Sequence, residues 1–115
     1  MKGVDSASLK EESFPVEVIF RNLERSQSIE EEAQRRAQKL YQLNHHIRNC
    51  RVTIELDGKH HQQGKKYDVR VDVMMPGKEL VISHDQSNED AYVALRDALD
   101  SAKRMLEDHT QKQRP

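Results

Sequence analysis

Two stretches of strict alternation constrain this chain more than anything else in it. Cys50, Val52, Ile54 and Leu56 alternate with Arg51, Thr53 and Glu55, and Tyr67, Val69, Val71 and Val73 alternate with Asp68, Arg70 and Asp72. Successive side chains of an extended chain point to opposite faces, so each stretch predicts a strand with one apolar and one charged face. A sheet so divided needs cover on one side and water, or a polar partner, on the other. Phe14, Val16, Val18 and Phe20 repeat the pattern, with Pro15 tolerable at a strand start or edge. In MMPGKELVIS, a Pro-Gly turn leads into a short strand around Leu80 and Ile82.

The cover comes from two segments with helical spacing. Ser28 followed by Glu31 has the form of a capping box, and Ile29, Ala33, Ala37 and Leu40 make one narrow apolar stripe, continued by Leu43 or Asn44. Glu31 to Arg35 and Glu32 to Arg36 are spaced as ion pairs on its solvent side. The second segment is capped by Ser87 or Asn88. Its stripe runs through Ala91, Leu95, Ala98, Ala102, Met105 or Leu106, and His109, widened by Tyr92 and Leu99. Helices of about 16 and 22 residues are expected from these spacings.

The order strand, helix, strand, strand, strand, helix predicts an α+β fold. A helix between the first two strands suits a right-handed parallel crossover, and two tight turns then suit antiparallel hairpins. The simplest solution is a two-layer sandwich, β-α-β-β-β-α, whose four-stranded mixed sheet carries both helices on one face, as in double-stranded-RNA-binding domains. Residues 1–13 read as a flexible leader, 14–110 as a single domain and 111–115 as a fraying tail. With 35% hydrophobic and 34% charged residues in 115, there is material for one thin core and no second domain.

Charge is unevenly spread. Residues 35–66 hold eight basic side chains against Glu55 and Asp57, a local balance of +6 in a chain of net charge −1. Such a segment suits backbone contacts with an anionic polymer such as structured RNA. Cys50 stands alone and inside an apolar run, which predicts a buried, inert thiol and no disulfide. No apolar run approaches the about 18 residues of a membrane span, and MKGVDSASLKEESF lacks a secretory core, so a cytoplasmic protein without membrane association is expected.

The chemistry of catalysis is missing. Ser83-His84-Asp85 has the residue types of a nucleophilic triad, but consecutive side chains do not form the relay. Asp68 and Asp72 flank Arg70 on one strand face, which reads as exposed charge pairing. His45-His46 and His60-His61 attract a zinc reading, yet neighbouring rings diverge in strand and helix alike, so no metal site is expected. His45 or His46 is expected to end the first helix, and His60 and His61 to occupy the tip of a loop eased by Gly58 and Gly64. Neither an enzyme nor a cofactor is implied. RNA binding and a non-catalytic protein-interaction or regulatory module, working through the exposed sheet, both remain open.

PGKELVIS followed by NEDAYVALRDALDSAKRML, together with IEEEAQRRAQKLYQL and NCRVTIEL, resembles the ribosome hibernation-promoting factor family, also known as ribosome-associated inhibitor A or sigma-54 modulation proteins. The likeness spans about Val16 to Lys112. Asp90, Tyr92, Ala94 and Leu95 match the opening of the family's last helix, with Ala91 where Met is usual. The resemblance implies a factor that binds the small ribosomal subunit in the channel for messenger and transfer RNA and silences translation in stationary phase or stress. It also implies that basic residues on the two helices face ribosomal RNA. By position these are Lys39 and Arg104, with Arg36 and Lys103 beside them. Apart from the resemblance, the charges of the loop make Lys65 and Lys66, with Lys59, candidates for an accessory RNA contact. Gln42, Ser101, Glu107 and Asp108 replace residues that are commonly lysine, which should weaken a salt-sensitive complex. The chain resembles the short form, without the long form's dimerisation domain.

Overall fold

The computed structural model describes residues 14–57, 66–83 and 88–112. Strands β1 (Val16–Arg21), β2 (Asn49–Asp57), β3 (Lys66–Met75) and β4 (Lys78–Ser83) form one sheet in the order β1-β2-β3-β4. β1 and β2 are parallel, whereas β2 with β3 and β3 with β4 are antiparallel. The expected mixed sheet and element order are therefore present. Register aligns the alternating residues into rows across the sheet. Val52, Val71 and Ile82 are neighbours on the inner face, and Thr53, Arg70 and Ser83 on the outer one.

Helix α1 (Gln27–Gln38), the one-turn α2 (Leu40–Leu43) and the long α3 (Ala91–Lys112) supply the cover. Ala33, Ala37, Leu40, Leu95, Ala98, Leu99, Ala102 and Leu106 are buried with Val52, Ile54, Val69, Val71 and Val73 in one cluster. Small alanines let the helices approach the β-branched surface closely. Leu106, not Met105, faces the core, and Tyr92 lies outside it with 44% exposure. α3 ends at Lys112, so the first two residues of the expected fraying tail are helical.

Three local expectations change. The cap of α1 is Ser26, whose hydroxyl accepts from the Ile29 N–H at 3.3 Å. Ser26 has the extended backbone that a cap requires (φ −116°, ψ 120°), which moves Ser28 into the first turn. The cap of α3 is Asp90, whose carboxylate accepts from the Tyr92 N–H at 2.9 Å, while Asn88 holds Asp90 in turn at 2.8 Å. Ser87 lies outside the described residues. The expected 16-residue first helix is interrupted at Lys39, where a tightened bond to the Arg36 carbonyl (3.3 Å) precedes the separate turn of α2.

Two glutamines finish the edge of the sheet. Gln38 of α1 both donates to the Phe14 carbonyl (2.8 Å) and accepts from the Phe14 N–H (3.2 Å), and Gln34 donates to the Val16 carbonyl at 2.8 Å. Their amides thus replace a strand partner along the start of β1, an edge that would otherwise expose unpaired backbone. At the other hairpin, Pro76 and Gly77 join β3 to β4, with Gly77 at φ +70°. Proline before a positive-φ glycine is the sequence signature of a type II turn.

Candidate nucleic-acid interface

Charges on the helices decide what their outer side can bind. α1 and α3 run in the same direction and are fastened at both ends. Near their starts the Tyr92 hydroxyl donates to Ser28 Oγ at 2.8 Å, and near their ends Asn44 Nδ2 donates to Thr110 Oγ1 at 3.2 Å. Between the fastenings lies a groove of about 260 Å³ lined by Arg36, Lys39, Gln42, Leu43, Leu99, Asp100 and Lys103, with Leu40 at its base. Three of the predicted basic residues, Arg36, Lys39 and Lys103, therefore meet in one place.

Arg104 does not join them. One residue along α3 turns a side chain by about 100°, and Arg104 instead shares a shallow surface with Ser101, Met105, Glu107, Asp108 and Gln111. The departures Ser101, Glu107 and Asp108 therefore fall beside Arg104, and Gln42 alone of the four lines the groove.

The cations of the groove differ in availability. Arg36 is 26% exposed and donates from Nε to Glu32 at 2.6 Å, while Arg35 donates to the same carboxylate at 2.7 Å. Glu32 thus collects both arginines, and the expected Glu31 to Arg35 pair is replaced by a Gln27 to Glu31 bond at 3.1 Å. Hydrogen bonds from Arg35 and then Arg36 hold the Glu32 carboxyl below its ordinary value. Lys39 and Lys103 are exposed and, among the described residues, make no ion pair. A free ammonium gains more from a phosphate than a guanidinium already neutralised by a carboxylate.

Of the predicted loop contacts, Lys66 is half-buried at the start of β3, opposite Asp57. Lys65, Lys59, His60, His61, Gly58 and Gly64 lie outside the described residues. His45 and His46 follow the end of α2, where Asn44 Oδ1 accepts from the His46 N–H at 2.8 Å. No group of three or more metal-ligating side chains occurs among the described residues.

The outer sheet face is a second polar surface. Arg21, Arg51, Thr53, Glu55, Arg70 and Asp72 line an open concavity of about 580 Å³. Its charges are largely paired: Arg51 donates to Glu17 at 3.1 Å and Arg70 to Asp72 at 3.0 Å. The Arg70 pairing follows the sequence, but Asp72 is only 6% exposed, so this is a nearly buried carboxylate and not surface charge. Asp72 stands between Arg51 and Val81 in the register and is bonded by Arg70, a placement across three strands that alternation in one strand does not reveal.

Residues 16–114 match the family described as sigma 54 modulation protein / S30EA ribosomal protein. The chain belongs to this family. No curated protein matches its sequence. Among solved structures, the N-terminal domain of Thermus thermophilus Protein Y is similar over 84% of this chain and 98% of its own, with 20% identity and a TM-score of 0.67. A ribosomal subunit interface protein from Coxiella burnetii is similar over 85% of this chain and 99% of its own, with 13% identity and a TM-score of 0.68. At these identities the likeness is one of fold. Membership of the sigma 54 modulation / S30EA family places the chain with non-catalytic proteins. No described helix is long and apolar enough to cross a membrane.

Proposed function

We propose that this chain is a ribosome-associated, RNA-binding factor that occupies the messenger and transfer RNA channel of the small subunit and inhibits translation under stress or in stationary phase. The observation that carries this reading is the groove between two fastened helices, in which Lys39 and Lys103, without an ion-pair partner among the described residues, stand beside Arg36. Cations on two packed helices that line one groove suit phosphates of a folded strand, where position and charge matter more than base identity. Membership of a family whose description includes a ribosomal protein supports the same partner and a cytoplasmic site of action. A helix pair over one sheet face is also a layer order of double-stranded-RNA-binding domains, and such domains read shape and backbone. In this reading Arg104, Lys65 and Lys66 make outlying contacts.

Co-sedimentation with purified small subunits tests the proposal. Binding should be retained at low salt and fall steeply as salt rises; a chain that stays off the subunit even at low salt would sink it.

A second reading rests on the outer sheet face. Two of its arginines are matched to carboxylates, Arg51 to Glu17 and Arg70 to Asp72, which suits a protein surface of mixed charge better than a polyanion. In that reading the chain is a non-catalytic interaction or regulatory module. A partner that stays bound after nuclease treatment and high salt would favour it.

A further inference from the structure

The first histidine pair has a use that the groove does not supply. Three rings stack outward from the core: Phe14 on Tyr41 at 5.6 Å between centroids and 17° between planes, then Tyr41 on His45 at 4.7 Å and 21°. Phe14 is buried, Tyr41 half-buried and His45 exposed, so the stack runs from the interior to solvent. Gln38 holds Phe14 through both of its backbone polar groups, which fixes the inner end.

The outer end is held as firmly. Asn44 ties the chain before His45 to Thr110 of α3 and to the His46 N–H, Ile47 is buried, and the Arg48 N–H donates to the Met74 carbonyl at 2.8 Å. Apart from its stack on Tyr41, the exposed His45 makes no hydrogen bond, ion pair or other ring contact among the described residues, so its ring nitrogens have no partner there. His46 and Arg48 are exposed beside it, and Arg48 has no ion-pair partner among the described residues.

We infer that His45 is a stacking site for an unpaired RNA base, the outermost step of a ring stack that the protein has already ordered. Aromatic rings exposed next to a cation take splayed single-stranded bases, because every base has a π-face and its phosphate needs a counter-charge. The interior bases of a duplex, stacked on each other, cannot use the site. The inference rests on the RNA-binding reading and narrows it: the bound strand carries at least one unstacked nucleotide at the end of α2.

The test measures binding of the full chain to a short single-stranded oligoribonucleotide and to the duplex of the same sequence. His45→Ala should weaken single-strand binding roughly 5- to 100-fold and leave duplex binding unchanged, while His45→Phe should restore most of the loss. Lys39→Glu with Lys103→Glu should weaken both. Wild-type single-strand affinity in His45→Ala, or an equal loss on strand and duplex, overturns the stacking site even where the charge reversal still acts. A wild-type chain that binds neither RNA nor the small subunit overturns the RNA-binding reading along with it.

Discussion

Cys50 illustrates how a single residue inherits its chemistry from its place in the sheet. It is 1% exposed on the inner face of β2, and burial first, then the negative charge of Asp72, pushes its thiol from an ordinary 9.0 up to about 12. The neutral thiol is therefore favoured in the folded state. Stability from this group is complete below pH 9, declines as the unfolded chain ionises above it, and stops declining near pH 12. An alkaline unfolding titration should show that loss, on the order of a few kcal/mol, and Cys50→Ala should flatten it. The same burial predicts that iodoacetamide fails to alkylate the native protein at pH 8 and labels it after denaturation. Gly77 is constrained in a different way: a Cβ there would meet nothing within 4 Å, so only its φ of +70° demands glycine. Gly77→Ala should cost about 1–2 kcal/mol in denaturant unfolding, with no change in the packed core.

At the scale of elements, capping and edge protection are carried by side chains whose partners lie far along the chain. Ser26 and Ser28 look interchangeable in sequence but do different work. Ser26→Ala should cost about 1 kcal/mol through the lost cap of α1. Ser28→Ala removes the acceptor for the Tyr92 hydroxyl, an exposed bond that contributes about 0.5–1 kcal/mol, and should loosen α1 against α3. A double-mutant cycle between Ser28→Ala and Tyr92→Phe should show the larger coupling, and one between Ser26→Ala and Tyr92→Phe the smaller, because Ser26 reaches Tyr92 only through its own hydroxyl contact with Ser28 Oγ at 3.2 Å. The interruption at Lys39 matters too. It lets Leu40 stay buried while the Lys39 ammonium remains in the groove.

For the whole molecule, the sandwich separates stability from binding. Leu95 is fully buried between sheet and helices, and Leu95→Ala should destabilise by roughly 2–5 kcal/mol in chemical unfolding. Lys39→Glu with Lys103→Glu should leave the melting temperature within a few degrees of wild type yet abolish co-sedimentation with small subunits at moderate salt. Arg104→Glu alone should have the smaller effect, because its surface already holds Glu107 and Asp108. An equal loss from both would mean that the groove is not the centre of the interface.

Alternation at period two and stripes at helical spacing were enough to specify four strands, two helical segments, their order and the inner face of the sheet. These signals are local, because each residue's face follows from its own backbone period. Leu95, Val52 and Cys50 could be assigned to the core on that ground alone. The caps were misread by two residues in the first helix and by two or three in the last, since several polar side chains near a helix start can serve and tertiary partners choose among them. Pairing belonged to the tertiary structure. Glu32 gathering both arginines, Gln38 closing the β1 edge, and Asp72 lying buried between its cross-strand neighbours all depend on which elements meet. So does the distinction between Lys103, in the groove, and Arg104, one residue away and outside it. Sequence could nominate both as cations on one helix; only docking α1 against α3 decided which of them shares a cleft with Lys39, because convergence of charge is a property of packed surfaces and not of spacing.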